Sequence, residues 1–81
     1  MRQTSGIIIN NEIFINSSHV VKIDKSKIEE TTYTIEIYMT NEDSPISLHF
    51  EKERERDVIF NKIVMELYGY NYAIVDFKVK N

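Results

Sequence analysis

The chain has no cysteine, no tryptophan, one proline and two glycines in 81 residues. Without cysteine there can be no disulfide, no thiolate metal site and no cysteine nucleophile. Small secreted domains commonly depend on disulfides, so their absence leads us to expect a reducing, cytoplasmic setting. Glycine-rich phosphate loops are excluded, because Gly6 and Gly69 stand alone. No apolar run is long enough for a signal-peptide core or a membrane span; Ile7-Ile8-Ile9 is the longest near the start. A surplus of one charge is also missing. The net charge of -3 is the wrong sign for a general nucleic-acid binder.

What is present points to one ordered domain. The composition is 42% hydrophobic and 28% charged, too apolar for disorder. A chain of this length buries roughly 60–65% of its unfolded surface and can fold alone with modest stability. Its Ile, Asn, Lys and Glu usage resembles coding from an AT-rich genome. We therefore expect a low-G+C bacterium, its phage or a plasmid as the source.

Apolar alternation marks the strands. Segments 6–10 and 12–16 flank Asn10-Asn11, a pair suited to the positive φ of a tight hairpin turn. Asn16-Ser17-Ser18 makes a second turn, and 19–24 reads as a third strand. Residues 25–30 read as a polar loop. Thr31–Thr40 alternates strictly, with Tyr33, Ile35, Ile37 and Met39 on one face and Thr34, Glu36, Tyr38 and Thr40 on the other. After the turn at 41–45, Ile46, Leu48 and Phe50 point inward from a fifth strand.

The period then changes. Over 51–68 the apolar residues Val58, Ile59, Phe60, Ile63, Val64, Leu67 and Tyr68 follow helical spacing. The charged opening, 51–57, is expected to project beyond the core or lie on its edge, with Glu51–Arg54 and Glu53–Arg56 pairs along it. Gly69 is placed to cap the helix. Residues 72–80 alternate again and read as a C-terminal strand. The expected fold is thus α+β: an antiparallel meander of about five strands, one long helix packed on it, and a terminal strand.

The sequence from Ile13 to Phe50, followed by a helix, resembles small bacterial regulatory modules in outline. It also resembles pleckstrin-homology-like sheets capped by a C-terminal helix. The strand expected after the helix departs from that pattern, and the resemblance assigns no functional residue.

Catalytic and cofactor signatures are lacking. His19 and His49 occupy outward strand positions, and nothing in their spacing brings carboxylates to complete a metal site. No G-x-S-x-G elbow is present. We expect no enzyme activity, no cofactor and no metal. The expected function is a small protein-binding module, a regulator or inhibitor that occupies a partner's surface. Contact candidates are Tyr38 on the outer sheet face, Arg54 and Arg56 on the helix, and the cluster Tyr68, Tyr70 and Tyr72 with Lys78 and Lys80. The bland alternatives are a solvated helix start, and tyrosines of which 68 and 72 close the core. Two further readings stay open. One is a homodimer joined through 72–80. The other is single-stranded nucleic-acid binding by Tyr70, Tyr72, Lys78 and Lys80, against which the net charge argues.

Overall fold

The computed structural model describes residues 6–69 and, beyond them, 73 and 75. In chain order the elements are β1 (Gly6–Ile9), β2 (Ile13–Asn16), a 3-10 turn (Ser17–His19), β3 (Val20–Glu29), β4 (Thr32–Met39), β5 (Ile46–Phe50) and α1 (Glu53–Tyr68). The class is α+β, as expected. The terminal strand expected at 72–80 lies outside the described residues apart from Ala73 and Val75.

The five strands do not form a single meander. They split into a two-stranded sheet, β1-β2, and a three-stranded sheet, β3-β4-β5, both antiparallel. The break has a local cause at Asn16. Its side-chain oxygen accepts from the backbone N–H and the hydroxyl of Ser18, both at 2.9 Å. Such a side-chain bond competes with the sheet ladder. It closes the 3-10 turn and sends β3 to β4 instead of back to β2.

The hairpin β1-β2 turns where the asparagines stand. Asn10 and Asn11 have φ of 54° and 59°, and the Glu12 N–H donates to the Ile9 carbonyl at 3.0 Å. Asparagine tolerates this left-handed backbone better than other non-glycine residues.

A second correction concerns 25–30. Residues read as a polar loop continue β3 to Glu29, paired as Lys25↔Ile35, Ser26↔Thr34 and Lys27↔Tyr33. The strongly alternating β4 offers a full ladder, and β3 is the edge strand, where lysines are well tolerated. Lys25 and Lys27 share the parity of Ile23 and so fall on the core face. Their ammonium groups reach past its rim, 5.1 Å from the Phe60 ring and 5.3 Å from the Tyr33 ring. Their methylene stems cover apolar surface on the way.

The core forms where α1 crosses the sheets. Ile15, Ile35 and Ile37 meet Ile63 and Leu67 there, all buried, with Ile7, Leu48, Phe50 and Phe60 packed around them. The helix lies over β1, β4 and β5 and so bridges the two sheets. It ends as its sequence demands. Gly69 has φ of 64°, and its N–H donates to the Met65 carbonyl at 2.8 Å, a conformation that costs any other residue a Cβ clash. Glu53 and Glu55 in the first turn suit the positive end of the helix dipole.

Arg56 departs from the expected solvated helix start. It is 6% exposed. Its guanidinium donates to the Ser26 carbonyl at 2.8 Å and to Asp57 Oδ1 at 2.8 Å, approaches Glu53 at 3.5 Å, and sits 5.5 Å from the Tyr33 ring centre. The helix thus enters the sheet packing at the end of its first turn, because Arg56 closes it onto β3.

Candidate functional site

The face of β3-β4-β5 away from the helix is polar and organised. Tyr38 donates its hydroxyl to Glu36 Oε1 at 3.1 Å, and Ser47 donates to Glu36 Oε2 at 3.3 Å. Lys22 lies 4.6 Å from the Tyr38 ring centre and 3.6 Å from Asp24. The hydrogen bond to Glu36 raises the Tyr38 pKa; desolvation and the charges of Glu36 and Asp24 add to it. The phenol therefore stays protonated and donates. Thr34 belongs to this face by parity yet is 1% exposed, between Ser26 and His49 in register, and its hydroxyl finds no partner among the described residues.

On the hairpin the outward positions are apolar instead. Ile8 and Phe14 sit directly opposite each other, 64% and 60% exposed. The Phe14 ring leans over Gly6. A Cβ added there would lie 2.7 Å from Phe14 Cζ and 2.6 Å from the Ile15 carbonyl oxygen. The ring rests on backbone that has no side chain, which holds it in place while leaving its outer face in water. This pair was not among the residues picked from the sequence. The signal was there, however. In a strand, neighbours alternate faces, so Ile7-Ile8-Ile9 and Ile13-Phe14-Ile15 cannot all point inward.

Between the two sheets lies a cleft of about 650 Å³. Consecutive residues line it on both sides: Ile7, Ile8, Ile9 and Asn10 from β1 and its turn, Ser47, Leu48, His49 and Phe50 from β5. Inward and outward side chains together mean that both strands face the cleft edge-on. Among the described residues each is paired on one side only, β1 to β2 and β5 to β4. Among those residues, two unpaired backbone edges therefore look into one opening. Helix residues Ile59, Lys62, Ile63 and Glu66 form its remaining wall.

The other contact candidates are dispersed. Arg54 is exposed beside a shallow apolar hollow formed with Phe50, Glu55, Val58 and Ile59. Arg56 is buried in the contacts described above. Tyr68 is half-buried at the helix end, and burial raises its pKa. Tyr70, Tyr72, Lys78 and Lys80 lie outside the described residues. The structure thus does not bring Tyr38, Arg54 and Tyr68 into one patch with Arg56. His19 and His49 are exposed, one in the 3-10 turn and one on β5.

Among the described residues, no group of three or more His, Asp or Glu side chains could hold a metal ion. No helix among them is long and apolar enough to cross a membrane. Compared with known proteins, the chain matches no family model, no curated protein and no solved structure.

Proposed function

We propose that this chain is a small non-enzymatic protein-binding module, a regulator or inhibitor that acts by covering a partner's surface. The supporting observation is the Ile8–Phe14 pair. Two large apolar side chains stand side by side in water, on a turn-stabilised hairpin, with the phenyl ring held against Gly6. Apolar surface of this kind is normally covered in a complex, and a stiff aromatic makes an effective contact residue at low entropic cost.

The test is affinity capture with the full chain from nuclease-treated bacterial lysate, read by mass spectrometry. One stoichiometric protein is expected with the native chain and with Val58→Asp, whose site is exposed elsewhere on the helix. It should be lost with Phe14→Asp. Ile8→Thr, which keeps β-propensity, serves as a milder second variant whose fold is checked by circular dichroism. Capture that ignores both hairpin variants would refute the reading.

A second reading is favoured by the cleft. We read 72–80 as a strand, and the facing edges of β1 and β5, unpaired among the described residues, offer such a strand a place in a second copy. That homodimer predicts a mass that halves on dilution in light scattering. A constant monomer mass at all concentrations rules it out.

A further inference from the structure

We propose that the hollow beside Phe14 seats the cationic end of an arginine or lysine side chain carried by a protein partner. The inference rests on the protein-binding reading above and names the chemistry that its partner carries.

The chain itself shows the arrangement three times. Lys22 lies 4.6 Å from the Tyr38 ring centre and 3.6 Å from Asp24. Lys25 lies 5.1 Å from the Phe60 ring centre and 3.3 Å from Asp57. Arg56 lies 5.5 Å from the Tyr33 ring centre and 2.8 Å from Asp57. Each time one cation is shared between an aromatic ring and a carboxylate. The ring attracts it through its quadrupole, and the carboxylate through its charge.

Phe14 and Glu42 supply the same two partners and lack the third. Both line one hollow of about 290 Å³, with Ile15, His19, Met39 and Ile46 around them. Among the described residues no cation stands over the Phe14 ring, and none pairs with Glu42. Glu42 is also the one formal charge among the described residues of the lining, with histidine neutral at pH 7. The hollow therefore favours a cation and repels an acidic side chain.

Local structure holds both groups beside the hollow. The Phe14 ring rests on Gly6. Thr40 donates its N–H and its hydroxyl to the His19 carbonyl at 2.8 and 3.0 Å. Asn41 then turns the chain at φ of 65°, and the Glu42 N–H donates to the Met39 carbonyl at 3.3 Å. The turn that positions Glu42 is thus tied to the segment that follows Phe14. Ile8, opposite Phe14 on β1, extends the surface with an apolar neighbour. A fitting partner segment places a basic residue beside an apolar one.

The test pans a phage-displayed library of random dodecapeptides on the immobilised full chain. Enriched peptides are synthesised, and their affinities are read by fluorescence anisotropy. The expected peptides share one arginine or lysine next to an apolar residue. Glu42 is exposed in a turn, so Glu42→Gln and Glu42→Lys should both keep the fold, as circular dichroism checks. Glu42→Gln should weaken binding roughly fivefold, and Glu42→Lys roughly tenfold or more. Phe14→Leu, which removes the ring and stays apolar, should weaken it roughly threefold. Replacing the shared basic residue of the peptide by its neutral isostere, citrulline for arginine, should cost about what Glu42→Gln costs. On the Glu42→Gln chain that replacement should cost nothing more, which a general effect on the fold would not produce. Enriched peptides without a shared basic residue would overturn the proposal. So would affinities that Glu42→Lys leaves within about twofold of the native value, or no enrichment over an uncoated surface. Peptides that lack a basic residue yet are lost with Phe14→Asp would refute the cation seat and leave the hairpin reading standing. Lysate capture that ignores the hairpin variants would refute that reading whatever the peptides show.

Discussion

Replacing Arg56 with methionine separates a structural role from a partner-contact role. Methionine keeps most of the unbranched stem and deletes the charged fork. The Ser26 carbonyl loses a charge-assisted bond of 2.8 Å from a side chain that is 8% exposed. Bonds of that kind contribute about 1.5–3 kcal/mol. The pairs with Glu53 and Asp57 add little, since those carboxylates are 64% and 41% exposed and solvent screens them. We expect a loss of about 2–3 kcal/mol. A domain of this size has roughly 4–12 kcal/mol in all, and the melting temperature should fall by about 10–20 °C. Urea unfolding at pH 7, with the slope unchanged, is the assay.

The same substitution has a pH signature. The hydrogen bond from Arg56 is the largest influence on Asp57 and holds its carboxyl below the ordinary value, with Lys25 helping; desolvation opposes them. The folded pKa is therefore below the unfolded one. The associated stability is present above the ordinary carboxylate value near about 4 and is lost as pH falls through the folded value. Arg56→Met should flatten that acid-side slope. A change below about 1 kcal/mol with an unaltered acid slope would refute the account of Arg56 as the clamp between α1 and β3.

Gly6→Ala should destabilise the hairpin by about 1–3 kcal/mol, because the new methyl group meets the Ile15 carbonyl oxygen and the Phe14 ring; thermal unfolding and the Phe14 ring proton shifts report it together. Thr34→Val removes a buried hydroxyl that has no partner among the described residues while keeping the shape. It should leave stability unchanged or raise it by up to about 1 kcal/mol, and a loss of 2 kcal/mol or more in urea, well outside that ~1 kcal/mol expectation, would show that the hydroxyl is bonded. Ile63→Ala should cost about 2–5 kcal/mol, as a buried residue at the helix–sheet junction, measured the same way.

Much of the fold was legible because local chemistry and tertiary packing agree. Asn10-Asn11 turn where asparagine can, Gly69 ends the helix where glycine must, and the alternation of β4 buries Ile35 and Ile37. The sequence failed to report where a partner strand overrode local polarity. Lys25 and Lys27 look like a loop until β4 pairs with them. Asn16 looks like a hairpin turn, but its side chain closes a 3-10 turn that separates the sheets. Arg56 reads as a solvated charge because nothing local shows that the Ser26 carbonyl, 30 residues away, will face it. The Ile8–Phe14 pair was legible in principle, since runs of three apolar residues need two buried faces and a single helix covers one.

The most direct test of the binding account is to map the contact on the isotope-labelled full chain. The protein recovered by the capture experiment is titrated in, and backbone and methyl signals are followed. The account predicts that Ile8, Phe14 and the Lys22–Tyr38 face shift first, and that Phe14→Asp weakens binding by roughly thirtyfold or more. Shifts confined to the helix around Arg54 and Val58, with Phe14→Asp binding as tightly as the native chain, would contradict it.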